Sequence, residues 1–312
     1  MKQNFFLKTI QTLLVFSLAF TLTNCGNIDN PLEELSGSGN SGGSTNETPT
    51  VEEIIKYGFK VTDLAGNDKT TLVTSLKMST DDGPVATAEV SDGKITIEAD
   101  KLSGITSAID FWFEAEIDGK PYIAKVNIDP STLSPETVKT LAMATVGDVI
   151  LADGSFAKAG TETPNAMIAY VGSGSDCKHG LAIQLNSSPV SKKWKDDTTY
   201  PAKEYAEGLT AVPGGTWRLP SKADWQNMFL GCAKSGDASS ASDNMNPIAG
   251  FKEKIAAAGV TWQSYYYWSS TESENEGRAW FVGVHLNDGY AYADFHEYVS
   301  VAEYYVLGCL AF

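Results

Sequence analysis

Positive charge is scarce in this chain. Lys and Arg together number 23, against 39 Asp and Glu over 312 residues, for a net charge of −16. A surface that acidic repels phosphate backbones, which excludes a nucleic-acid partner, and it offers no basic patch to anionic lipid. Histidine is rarer still, with only His179, His285 and His296. Neither His285 nor His296 stands in a recognisable arrangement with a Ser or Cys nucleophile. Glu272 and Glu274 read as a solvated charged turn. The sequence therefore reads as a binding protein and not an enzyme. Cysteine is limited to Cys25, Cys177, Cys232 and Cys309, without a CxxC pair for zinc or redox chemistry. No metal or cofactor is expected.

Two glycine-rich stretches also lack what their chemistry would need. Gly172-Ser-Gly-Ser-Asp-Cys177 has no following Lys-Ser/Thr, so it does not make a phosphate cradle. Gly39-Asn-Ser41-Gly-Gly43 matches the esterase pattern G-x-S-x-G. It lies in a Ser/Gly-rich linker, which cannot supply the strand-to-helix elbow that this motif requires.

What is present begins with a leader. Lys2 and Lys8 precede an apolar run at residues 9–22, too short for a comfortable membrane span and suited to a secretory signal. It ends Leu22-Thr-Asn-Cys25, which resembles a bacterial lipoprotein lipobox, with Asn24 in place of the usual small residue. The resemblance implies a signal peptide at 1–24, lipidation of Cys25 and an acyl-anchored protein on the outer membrane, facing the exterior. Residues 25–50 are rich in Ser, Gly and Asn and read as a flexible tether.

Residues 51–135 show short alternating segments at 55–62, 71–78, 85–90, 94–99, 109–117 and 122–128. Asp-Gly hairpin signals stand at Asp92-Gly93 and Asp118-Gly119. They predict a small antiparallel β-sandwich, Ig-like, acting as a spacer. In it Phe111, Phe113, Ala115 and Ile117 form one buried face, opposite Trp112, Glu114 and Glu116. Pro130-Ser-Thr-Leu-Ser-Pro135 marks a boundary.

Residues 141–312 differ in texture, and six of the seven Trp fall after residue 190. Strands are expected at 146–151, 166–171 and 180–185. Ser221 is placed to cap a helix with Asp224 at the capping-box position, and Trp225, Met228, Phe229 and Cys232 share its core face. A second helix is expected at 247–258, with Gly259 as its C-terminal cap.

The tail is built around Asn287-Asp-Gly289, a hairpin-turn signal between two alternating arms. Side chains alternate along a strand. Trp280, Val282, Val284 and Leu286 therefore form a core face, matched on the second arm by Ala291, Ala293 and Phe295. The other face mixes aromatic and polar residues: Phe281, Gly283, His285 and Asn287, then Tyr290, Tyr292 and Asp294. Tyr suits a contact surface, with its large area, polar tip and low entropy cost.

Trp217-Arg-Leu-Pro-Ser-Lys-Ala-Asp-Trp225, Tyr267-Trp-Ser-Ser-Thr271 and Ala279-Trp280 together resemble the C-type lectin-like fold of bacterial surface proteins, a group that includes formylglycine-generating enzymes. The implied architecture is α+β: the β-sandwich followed by a C-type lectin-like domain. The enzymes of that group use a C-terminal Cys pair and copper, whereas Cys309 has no nearby second Cys. Thr163-Pro-Asn165 is not the calcium-dependent sugar motif, and Asn287-Asp288 lacks the preceding Trp.

The tail is further similar to the variable region of proteins diversified by retroelements. There, Asn codons (AAC) are rewritten to any codon ending in C. That set excludes Lys, Glu, Gln, Met and Trp. Arg278, Phe281, Gly283, His285, Asn287, Asp288, Tyr290, Tyr292, Asp294 and His296 all fall within the permitted set, and these ten are the candidate ligand-binding residues. The implied partner is a protein or glycan on another cell or host surface, with the membrane contacted through the lipid anchor. A fimbria-like tip or structural subunit is the alternative, and a degenerate formylglycine-generating-type enzyme the remote one. Sequencing the gene's 3′ end and downstream flank tests the diversified reading. C-ending codons at positions 281–296, a near-copy with adenines at the mismatches and a reverse-transcriptase frame are expected; absence of all three leaves a non-variable adhesin.

Overall fold

The computed structural model describes residues 54–174, 176–185, 188, 190–234, 246–261, 265–274, 278–285, 292–299 and 302–312, with the backbone alone at 246–247, 285 and 292–299. The leader, Cys25 and the tether lie outside the described residues. The described part is a mostly β, α+β structure, and residues 52–312 form one compact unit.

The first eight strands are β1 (Lys56–Asp63), β2 (Val73–Thr80), β3 (Gly83–Thr87), β4 (Glu89–Ser91), β5 (Lys94–Glu98), β6 (Ile109–Ile117), β7 (Lys120–Ile128) and β8 (Val138–Thr145). They join in the order β3-β2-β6-β7-β8-β1-β5-β4. Both Asp-Gly pairs turn hairpins with positive φ at each residue: Asp92 at 51° and Gly93 at 71°, Asp118 at 51° and Gly119 at 69°. That is the backbone of a tight turn matched to strand twist. β1 and β6 stand three ladder steps apart, about 14 Å in a flat sheet. Yet the Phe59 and Phe113 rings are 5.7 Å apart. The sheet therefore closes over one core, which takes Phe59 and Val61 from β1, Leu76 and Met78 from β2, and Phe111 and Phe113 from β6.

The sequence pattern assigns no strand to Val138–Thr145. β8 runs parallel to β1 over residues 138–143, then pairs Thr145 and Ala144 with Tyr122 and Ile123 of β7. One strand thus serves both sides of the first half, past the expected boundary at 130–135, and leads directly into the second half.

The second half contains β9 (Val149–Ile150), β10 (Phe156–Ala157), β11 (Ala166–Val171), β12 (Gly180–Gln184), β13 (Val190–Lys193), α1 (Pro201–Glu207), β14 (Thr216–Arg218), α2 (Lys222–Cys232), β15 (Asn246–Pro247) and α3 (Ala249–Ala257). It then continues through β16 (Tyr266–Glu272), β17 (Arg278–His285), β18 (Tyr292–Val299), β19 (Glu303–Val306) and β20 (Cys309–Ala311). One sheet runs β10-β9-β11-β12-β20-β14 and the other β13-β19-β16-β17-β18-β15. The capping box at Ser221 and Asp224 forms as expected, and Trp225, Met228, Phe229 and Cys232 of α2 are buried. They meet Phe251 and Ile255 of α3, together with Tyr267, Val282 and Val284. Gly259, with φ of 83°, follows α3.

The halves meet through the face of β6 opposite its own core. Trp112 is not solvent-facing: it is only 2% exposed. It packs with Ile123 and Ala144 against Ile168, Trp217 and Phe312 of the second half. Trp112→Ala should destabilise the whole compact unit by about 3–5 kcal/mol, the cost of removing a large buried aromatic. Chemical denaturation should then give one cooperative transition with a lowered midpoint; two separate transitions, with only the first lowered, would show that the halves unfold independently.

Candidate functional site

The hairpin of β17 and β18 brings most of the candidate residues into one register. Phe281 stands opposite His296, Gly283 opposite Asp294, and His285 opposite Tyr292. Directly opposed positions of an antiparallel pair share a face. On the other side of β17, Tyr266 stands opposite Gly283, and Trp268 opposite Phe281. Of the expected core positions, Val282 and Val284 are buried in the main core and pair with Phe295 and Ala293, Trp280 is partly buried against it, and Leu286 and Ala291 lie outside the described residues. Arg278, at the start of β17, is exposed. Asn287, Asp288 and Tyr290 lie outside the described residues.

Two candidate residues are buried. Phe281 is 5% exposed and Gly283 is also buried. The reason lies in what covers the sheet. Trp194, Ala202 and Ala206 pack over this face and form a small core with Trp268, Ala279, Phe281 and Val306. Phe281 is therefore floor rather than contact surface at that end. Beyond the cover an aromatic group opens outward. Tyr304 lies 4.9 Å from Phe281, 4.6 Å from Trp268 and 5.5 Å from Tyr266. Tyr266 is 43% exposed. Sequence reasoning named neither Tyr266 nor Tyr304 as a site residue. The alternation rule does place Tyr266 with Trp268, and the register then joins them to the candidate face.

The scaffold beneath this face is tied together by two of the three segments that carried the fold resemblance. Ser270 N–H donates to the Pro220 carbonyl at 2.8 Å, and Lys222 N–H donates to Thr271 Oγ1 at 3.0 Å. Trp268 Nε1 donates to the Lys192 carbonyl at 2.8 Å. Arg218 reaches Asp224 at 2.8 Å, and Asp224 in turn accepts from the Ser221 N–H. Lys222 Nζ sits 3.8 Å from the Trp280 ring centroid, a cation–π contact at the start of α2. Cys177, Cys232 and Cys309 are free thiols, all buried. Burial pushes Cys232 and Cys309 up to about 12, so neither presents a reactive thiolate.

A second constellation lies on the seam between the halves. His179 Nδ1 donates to Glu114 Oε1 at 2.7 Å, and the imidazole stacks on Trp112 at 4.4 Å. Trp112 Nε1 donates to Asp81 Oδ1 at 3.0 Å, and Lys178 Nζ donates to the Asp81 carbonyl at 2.7 Å. His179 is only 5% exposed, and its Nε2 is buried without a hydrogen-bond partner among the described residues. The pair joins residues 65 positions apart, and no local pattern in the sequence signals it.

The chain matches no protein-family model, no curated protein and no solved structure. The site therefore rests on its own geometry. That geometry separates two kinds of aromatic on one face. Phe281→Ala should cost about 3–5 kcal/mol of stability as a core truncation. Tyr266→Ala should cost about 1 kcal/mol or less, because its ring is largely outside the core. Equal losses in thermal unfolding would place Tyr266 in the core as well.

Proposed function

We propose that this chain is a lipid-anchored surface protein that captures a protein or glycan ligand through the Tyr-rich outer face of its β16–β17–β18 sheet. In this reading the first half is an Ig-like sandwich and the second a C-type lectin-like domain, resembling the variable proteins of retroelement systems. Lipidated Cys25 and the tether hold both off the outer membrane. The observation that carries the proposal is the register of the hairpin. Six of the ten candidate positions, 281, 283, 285, 292, 294 and 296, pair directly across β17 and β18.

The chemistry of the neighbourhood supports capture. Tyr266 and Tyr304 border the paired positions with large rings that are already partly held by aromatic neighbours. Pre-ordered aromatic area binds at low entropic cost. The opposite face of β17 is locked into the main core by Val282 and Val284, so the outer positions can change without moving the strand.

The test is adhesion of cells displaying the full chain to protein- and glycan-coated surfaces. Tyr290→Ala/Tyr292→Ala should weaken capture by at least about 30-fold, the loss typical of a central aromatic anchor, with the unfolding midpoint unchanged. Adhesion that survives both substitutions removes this face as the binding surface.

A further inference from the structure

We propose that the seam between the halves holds a second binding site, for an uncharged oligosaccharide. Three clefts of about 770, 550 and 350 Å³ follow this seam. The first and second share Asp81, Lys178 and His179 as walls. The first and third share Lys77 and Glu114. They therefore adjoin one another along the seam, an extended series that suits a chain of several linked units better than a single small molecule. Grooves at the junction of two packed halves are common places for ligands.

The ligand class follows from the donors and acceptors along the groove. The first cleft carries Lys77, Lys101 and Lys178 as ammonium donors against Asp81, Asp82 and Glu114 as carboxylate acceptors; the second adds Arg218 and Asp176, and the third Glu116. A phosphate, sulfate or carboxylate group would meet these acids, and an ammonium group would meet these cations. A hydroxyl both donates and accepts, so it pairs with either. A polyol with many hydroxyls and no charge fits this mixture. Among the described residues, none of the three clefts is lined by Tyr266, Tyr304, Phe281 or Gly283 of the Tyr-rich face.

The experiment is calorimetric titration of the full chain with maltotetraose, chitotetraose and mannotetraose, with sodium sulfate as the anionic comparison. At least one tetrasaccharide should bind with Kd at or below about 1 mM. The exposed pair Lys77→Ala/Asp82→Ala removes one charge of each sign and leaves the net charge unchanged. It should raise that Kd at least about tenfold with no shift in unfolding midpoint, and Tyr266→Ala should leave it unchanged. The proposal is overturned if no tetrasaccharide binds at about 10 mM, if the Lys77/Asp82 variant binds as the parent does, if Tyr266→Ala weakens binding equally, or if sulfate binds and the sugars do not.

Discussion

Trp112 lies with its ring stacked on His179 and on Phe312, and its Nε1 is satisfied by Asp81. This contact gives β6 two buried faces. Phe111 and Phe113 fill the core of the first half while Trp112 fills the seam. An antiparallel strand with one buried face would normally leave the other to water. Here the second half takes the place of water. The contact also reaches the last strand. β20 inserts between β12 and β14, and the Phe312 carbonyl accepts from His179 N–H and Gly180 N–H. The chain end therefore closes both its own sheet and the seam. Pairings this far apart in sequence raise contact order, so folding waits on long loop closures.

Local signals carried far in this sequence because each had a local cause. The Asp-Gly turns needed positive φ at two residues, and both turns have it. The capping box at Ser221 and the buried stripe of α2 depend on neighbours three and four residues away. The parity of β17 followed from its own alternation, and the register with β18 preserved it. β8 escaped for an equally physical reason. Its first three residues are exposed and its buried ones serve two different partners, β1 and then β7. No single alternation describes such a strand.

The candidate face was legible as a face but not as a surface. Alternation says which side of a strand a residue takes. It cannot say whether another element lies on top. Phe281 illustrates the difference. It shares its parity with Gly283 and His285, yet the segment carrying Trp194 and α1 covers it. Tyr266, one register step along and across on β16, stays 43% exposed. Coverage is set by residues 70 or more positions earlier, so it belongs to tertiary structure. The same limit hid the pair of His179 and Glu114. Each residue looks ordinary in its own strand or loop, and only the docking of the halves brings them to 2.7 Å.

These features bear on how a surface can vary without costing the fold. A substitution matters when it leaves a cavity, strands a polar group or clashes with packed neighbours. Along β17 those risks fall on Ala279, Phe281, Val282, Gly283 and Val284, all buried. The hydrogen bonds that fix the scaffold come from Pro220, Lys222, Trp268 and Ser270, outside the run of candidate positions. Backbone pairing holds β18 against β17 over eight register positions, and such a ladder does not depend on side-chain identity. The backbone pairing with β18 and the buried inner residues Val282 and Val284 thus keep β17 in place independently of the proposed binding role of its other face. Under the proposed reading, variation at Phe281 or Gly283, both buried, would cost core packing.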